Sequence, residues 1–270
     1  MLETLITIGN FQVHTLSVFQ FLAFGAMGMT LWRRAKEENY LEARVFDGFL
    51  LSFMFGWLVA RLAFVIFSLD RLGLDPLKWL NVVQYPGLML FFGVIGATCY
   101  FYGFARKQKW DAFEVLDWWA QAVAIGLIFV NLGYFVAGTR FGESTNLPWG
   151  IIFPGVFEKR HPTQLYSALF YLLASKGLNW LEYHYRSIEW YRAGKKTAQS
   201  GFLFIIFVLS YAVFSMIISL IQPPIFMIKQ TALDSLIYFF LLIVGIVLLL
   251  NRSNRSFFSF REKRFFAVKK

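Results

Sequence analysis

Apolar runs separated by short polar connections fill most of this chain. A spanning helix needs about 20 mostly apolar residues. Seven segments reach or approach that length: 14–31, 45–67, 87–104, 116–137, 162–181, 201–221 and 232–250. The pattern predicts an all-α membrane protein, a bundle of about seven transmembrane helices, with residues 1–270 as a single polytopic membrane domain. The third run is the shortest, and Gly87, Gly93 and Gly96 suit it to close packing against a neighbour. The fourth carries Asp117, Gln121 and Asn131, so it is expected inside the bundle, because unpaired polar groups in hydrocarbon are costly.

The connections give an orientation. Eighteen Lys and Arg residues fall after the first, third, fifth and seventh runs, among them Arg33, Arg34, Arg106, Lys107, Arg192, Lys195 and Lys196. The other side holds six: Arg71, Lys78, Arg140, Lys159, Arg160 and Lys229. The positive-inside rule then predicts an outer N-terminus and a basic cytoplasmic tail over 251–270. Residues 69–86 and 138–161 become outer loops, where function is expected.

Composition agrees. The chain is 58% hydrophobic, 20% aromatic and only 16% charged, against about 25% charged in an ordinary soluble domain. A net charge of +10 would fit nucleic acid, but the basic residues lie between apolar runs and form no stripe. They read as topology signals and lipid contacts, and no nucleic-acid partner is expected. Met1–Thr4 lacks a basic n-region, so the first run is expected to be a retained span. The single cysteine, Cys99, leaves no intrachain disulfide. His14, His161 and His184 are far apart, no glycine-rich phosphate loop follows a strand, and no cofactor or metal is expected.

Polar groups in costly places are the candidates for chemistry. Arg61 lies deep in the second run, where an arginine costs roughly 2.5–3.5 kcal/mol on insertion scales. It either grips a phosphate bidentately or is paired within the bundle, with Asp117 or Glu143 as partners. Arg160-His161-Pro162-Thr163-Gln164-Leu165-Tyr166 sits at a membrane edge, with Pro162 suited to a first helical turn. Such a helix start favours an anionic head group, although basic and aromatic residues also gather at membrane surfaces as anchors. Asn131 bonds either a ligand ester or a neighbouring helix. His161 exchanges a proton near neutral pH.

That seven-residue stretch closely resembles the His-Pro-(Ser/Thr)-Gln-Leu-Tyr motif of the prolipoprotein diacylglyceryl transferases. Arg61 with its neighbours resembles the family's Gly-Ala-Arg-Leu segment, 131–142 resembles its Gly-Arg-x-Gly-Asn-Phe-x-Asn-Gly-Glu signature, and Phe153-Pro154-Gly155 follows in order. The resemblance implies a seven-span enzyme of the bacterial cytoplasmic (inner) membrane. It would move a diacylglyceryl group from phosphatidylglycerol to the cysteine of a lipoprotein precursor, so its partners would be phospholipid and the precursor's signal peptide. It also implies departures. The family's histidine falls on Phe92, the signature arginine on Asn131, its asparagines on Tyr134 and Ala137, its glutamate on Thr139, and a further arginine on Ser215. The residues left to bind substrate are Arg61, Asn131, Arg140, Arg160, Gln164 and Tyr166, with His161 as the candidate catalytic base.

Two readings compete: a divergent transferase, and a catalytically degenerate relative that binds lipid or lipoprotein. A transporter is a third, but the chain lacks paired inverted repeats with broken helices.

Overall fold

The computed structural model describes residues 4–8, 11–82, 84–186, 199–228 and 231–252. Each predicted apolar run folds as a helix within a few residues of its expected limits. These are α1 (Thr15–Glu37) and α2 (Glu42–Phe67), then, after two short helices α3 (Leu69–Leu72) and α4 (Pro76–Leu80), α5 (Leu90–Lys107), α6 (Ala112–Ala137), α7 (Thr163–Arg186), α8 (Phe202–Ile218) and α9 (Asp234–Arg252). Of these, α1, α2, α6 and α9 are long and apolar enough to cross a membrane, while α8 is apolar but shorter. Three two-stranded hairpins, absent from the hydrophobic pattern, complete the fold: β1 (Thr4–Ile8) with β2 (Phe11–His14), β3 (Ile151–Ile152) with β4 (Lys159–Arg160), and β5 (Met227–Ile228) with β6 (Thr231–Ala232). All lie at the end of the bundle where α2 and α6 finish and α5, α7 and α9 begin. Of the basic positions used for orientation, Arg192, Lys195, Lys196, Lys229 and the tail after Arg252 lie outside the described residues.

Helix α6 is the centre, packed against α1, α5, α7 and α8. Its polar residues face these neighbours. Asp117, fully buried, accepts from the Gly201 and Phe204 amides at 2.8 and 2.9 Å and so caps the start of α8. Gln121 accepts from Arg34 Nε and donates to Glu182 Oε2, both at 2.9 Å, while Arg34 pairs with Glu182. Asp117 and Gln121 thus find their partners outside α6.

Glycines bring α2 and α5 together. A Cβ on Gly56 would lie 2.7 Å from the Gly93 carbonyl oxygen, and one on Gly96 would lie 2.7 Å from Val59. At that separation only backbone fits, and the two helices pack by direct main-chain approach. Helix α9 packs against α8 and leaves Leu236, Phe239 and Phe240 exposed. That face is what lipid would cover.

Candidate functional site

Between α5, α6, α7, α8 and α9 lies a cavity of about 720 Å3, near the top of the range for small-ligand sites. Its lining on α9 runs from Asp234 to Leu248, about 21 Å at the helical rise per residue. Leu127, Phe207, Val244 and Leu248 make most of it apolar. Six of its lining residues are also exposed: Ile95 and Cys99 on α5, Leu236 and Phe240 on α9, and Arg140 and Pro223 at the hairpin end. The cavity therefore opens on the flank of the bundle, between α5 and α9.

Its polar groups gather toward the hairpin end: Asn131, Tyr134, Arg140, Thr163, Gln164 and the tyrosines Tyr171, Tyr211 and Tyr238. The local backbone explains how they meet. Gly138 ends α6 in the left-handed conformation, φ +74°, where the missing Cβ removes the steric cost. Arg140 is left-handed too, φ +59°, which is uncommon for a residue with a side chain. The two reversals turn the chain back over the bundle. Thr163 Oγ1 then donates to the Arg140 carbonyl at 3.0 Å, and Gln164 Nε2 donates to the Thr139 carbonyl at 2.6 Å. Gly142 lets the loop lie flat: its amide donates to the His161 carbonyl at 2.8 Å, and a Cβ there would meet the Ile221 carbonyl oxygen at 2.6 Å.

The residues singled out from sequence separate into two groups. Asn131, Arg140 and Gln164 line the cavity. Arg61, Arg160, His161 and Tyr166 are not among its lining residues. Arg61 is buried, and its guanidinium donates to main-chain carbonyls: Trp79 and Tyr85 at 2.8 Å, Gly87 at 3.0 Å, and Lys78 and Asn81 at 3.4 Å. Neither Asp117 nor Glu143 is its partner. Arg160 instead approaches Glu143 at 3.8 Å and Glu158 at 3.9 Å. His161 Nδ1 lies 3.5 Å from the Tyr166 hydroxyl, which accepts from Trp149 Nε1 at 2.8 Å. The motif thus divides its labour: Thr163 and Gln164 hold the turn after α6, while Arg160, His161 and Tyr166 lie around the β3–β4 hairpin.

Asn131 donates to the Leu127 carbonyl one turn back at 2.7 Å. Phe92 packs in an aromatic cluster with Phe67, Phe91 and Phe226. Among the described residues no three His, Cys, Asp or Glu side chains gather as a metal site.

Sequence reading passed over the tyrosines. The Tyr211 ring stacks 6.4 Å from that of Tyr171 and meets that of Tyr238 nearly edge-on at 6.3 Å. The available signal was weak: a phenol inside an apolar helix needs a partner for its hydroxyl, and here three different helices supply the three rings.

Comparison with known proteins agrees with this architecture. The Prolipoprotein diacylglyceryl transferase family model matches residues 3–251. Over 250 residues the chain is 26% identical to the phosphatidylglycerol–prolipoprotein diacylglyceryl transferase of Clostridium tetani, covering 87% of this chain and 94% of that one. It is 31% identical over 206 residues to the enzyme of the same name from Shewanella sp. (strain ANA-3), covering 75% and 73%. It is 32% identical over 175 residues to that from Polynucleobacter asymbioticus, covering 61% and 65%. With a match of that extent and four helices long and apolar enough to cross a membrane, this is a multi-pass membrane protein, and the chain belongs to the prolipoprotein diacylglyceryl transferase family.

Proposed function

We propose that the protein binds a diacyl phospholipid, of the phosphatidylglycerol type, in the cavity between α5 and α9. The observation that carries this reading is the cavity itself: a long apolar chamber, open on the flank of the bundle and polar at one end. Acyl chains would lie along α5 and α9, and the head group would face Asn131, Arg140 and Gln164. In this reading seven helices span the bacterial inner membrane, the hairpin end faces outward, and the polar end of the cavity meets the outer leaflet. The excess of basic residues on the opposite connections supports that orientation. Arg61 serves as a positioning residue, and Arg160, His161 and Tyr166 brace the outer hairpin.

The family moves a diacylglyceryl group from phosphatidylglycerol to a precursor cysteine. In that transfer a new sulfur–carbon bond forms at the lipid glycerol, the carbon–oxygen bond to the phosphate breaks, and the thiol proton must be taken up. Arg140 is the cation that faces the cavity. No histidine lines it among the described residues, and His161 would have to act from the outer hairpin. The packed aromatic cluster around Phe92 favours the second reading, a relative that holds phospholipid or lipoprotein without turnover.

One preparation tests both. Purified protein in mild detergent is expected to retain phospholipid in native mass spectra. Incubation with phosphatidylglycerol and a lipobox peptide then separates the readings: a diacylglyceryl mass increment on the peptide cysteine supports transfer. Its absence, beside an active family member, leaves the binding role. A protein that retains no phospholipid sinks both.

A further inference from the structure

We propose that Arg140 is the phosphate-binding group of the cavity, and that its ligand is a phosphodiester lipid whose head group carries a hydrogen-bond donor for Gln164 Oε1. The assignment rests on the reading that a diacyl lipid occupies the cavity.

Among the described residues, Arg61 donates to main-chain carbonyls and Arg34 pairs with Glu182 and Gln121, while Arg160 lies 3.8 and 3.9 Å from Glu143 and Glu158, with its buried Nε unpartnered and outside the cavity lining. Arg140 differs. Among the described residues no carboxylate pairs with its guanidinium, and no acceptor takes its N–H groups. It lies over the Tyr134 ring, 4.6 Å from the centroid, a contact that orients a planar cation without using its donors. Arg140 is exposed, yet it lines the same chamber as Tyr171, Tyr211 and Tyr238 from three helices. Asp234, the carboxylate that lines the cavity, is already bonded by the Ile225 and Phe226 amides at 2.9 and 3.2 Å.

The backbone holds this cation deliberately. Left-handed φ at a non-glycine residue persists only where surrounding contacts enforce it. Thr163 and Gln164 supply those contacts through the carbonyls of Arg140 and Thr139.

The second half of the site is Gln164. It is 2% exposed, lines the cavity, and its Oε1 has no partner. Its Nε2 is committed to the Thr139 carbonyl, which fixes Oε1 as the free atom. A buried acceptor left unpaired is costly. A head group with a hydroxyl or ammonium donor removes that cost, and a choline head group, which has no donor, does not. A phosphate on Arg140 would sit beside this acceptor, because residues 139 and 140 are the ones Gln164 and Thr163 hold.

The test is lipid retention by the detergent-purified protein in native mass spectra, with dioleoyl phosphatidylglycerol, phosphatidylcholine and diacylglycerol offered in equal amounts. Wild type is expected to retain phosphatidylglycerol over phosphatidylcholine, and phosphatidylcholine over diacylglycerol, by about 10-fold at each step. Arg140→Gln is expected to bring both phospholipids down to the diacylglycerol level while diacylglycerol itself is retained. Arg140→Lys keeps the charge without the planar fork and should give an intermediate ratio, so the assignment stays open to refutation if the glutamine variant does not fold. Arg160→Gln should behave as wild type. Unchanged ratios in the Arg140 variants overturn the phosphate assignment, and equal retention of the two phospholipids by wild type overturns the Gln164 assignment. A wild-type protein that retains none of the three lipids overturns the cavity reading and this proposal with it.

Discussion

Arg61 Nε donates to the Trp79 carbonyl at 2.8 Å, joining the interior of α2 to the short helix α4, eighteen residues further along the chain. Further bonds to the carbonyls of Tyr85 and Gly87 extend the hold to the segment that enters α5. The Met89 amide closes the connection by donating to the Ala60 carbonyl at 3.1 Å. Met89 is also the first cavity residue of that segment. A buried cation thus positions one wall of the cavity, its cost offset by oriented main-chain dipoles.

Removing this guanidinium strands several carbonyls at once. Arg61→Met is expected to destabilise the protein by about 2–3 kcal/mol. Arg61→Lys should recover only part, because one ammonium cannot reach acceptors spread around a planar fork. Thermal unfolding in detergent measures the loss, and limited proteolysis between residues 73 and 88 should quicken in both variants.

Asp117 caps α8 from the side of α6, through the Gly201 and Phe204 amides. Asp117→Ala is expected to cost about 1–2 kcal/mol and to raise amide exchange in the first turn of α8 ahead of the rest. Uniform exchange along α8 would contradict the capping role.

Close approach of α2 and α5 depends on Gly56, where a side chain would meet the Gly93 carbonyl oxygen and the Ala97 Cβ at 2.7 and 2.8 Å. Gly56→Val should force the helices apart at a cost of about 1–3 kcal/mol. Disulfide trapping between cysteines placed on the two helices would weaken accordingly, with Gly25→Val, which faces open space, as the neutral comparison.

Asp111 caps α6, accepting from the Phe113 amide at 3.0 Å, the Glu114 amide at 3.4 Å and the Ser200 hydroxyl at 2.6 Å. Burial pushes its carboxyl up, but these hydrogen bonds and the charge of Arg252 outweigh that and leave it below the usual carboxylate range. A depressed folded value means that its stabilisation is complete above the unfolded pKa, about 3.9. It is lost as pH falls through the lower folded value. Amide exchange at Phe113 and Glu114 should therefore accelerate only below about pH 4. Ser200→Ala should move that onset upward.

Cys99, the chain's single cysteine, is exposed and lines the open flank of the cavity. Maleimide labelling in detergent should be slowed several-fold by loading with a diacyl phospholipid, and less by a single-chain detergent. Equal labelling rates with and without phospholipid would argue that acyl chains do not pass this flank.

Much of the architecture was legible in the chain. The seven long helices coincide with the apolar runs, and four of them are long and apolar enough to cross a membrane. The burial of α6 was readable from Asp117 and Gln121, and the close packing of α5 from Gly93 and Gly96, but not that α2 is the neighbour it meets. The stretch from Arg160 to Tyr166 was correctly marked as unusual, yet the division of its side chains was hidden. Arg160 and His161 are adjacent to Thr163 and Gln164 in sequence, but the strand-to-helix change at Pro162 sends them to different surroundings. Arg61 was misleading for another reason: its partners are main-chain carbonyls, which every residue carries and no sequence advertises.

The sequence alone therefore determined the solvent, the helices and the family, since each depends on local composition or on linear order. Only the tertiary structure decided what each arginine meets. Arg34, Arg61, Arg140 and Arg160 are chemically alike in a string of letters, and they differ solely in what folding brings within hydrogen-bond distance. Those acceptors come from other helices and from loop carbonyls far along the chain, and their convergence is a property of packing.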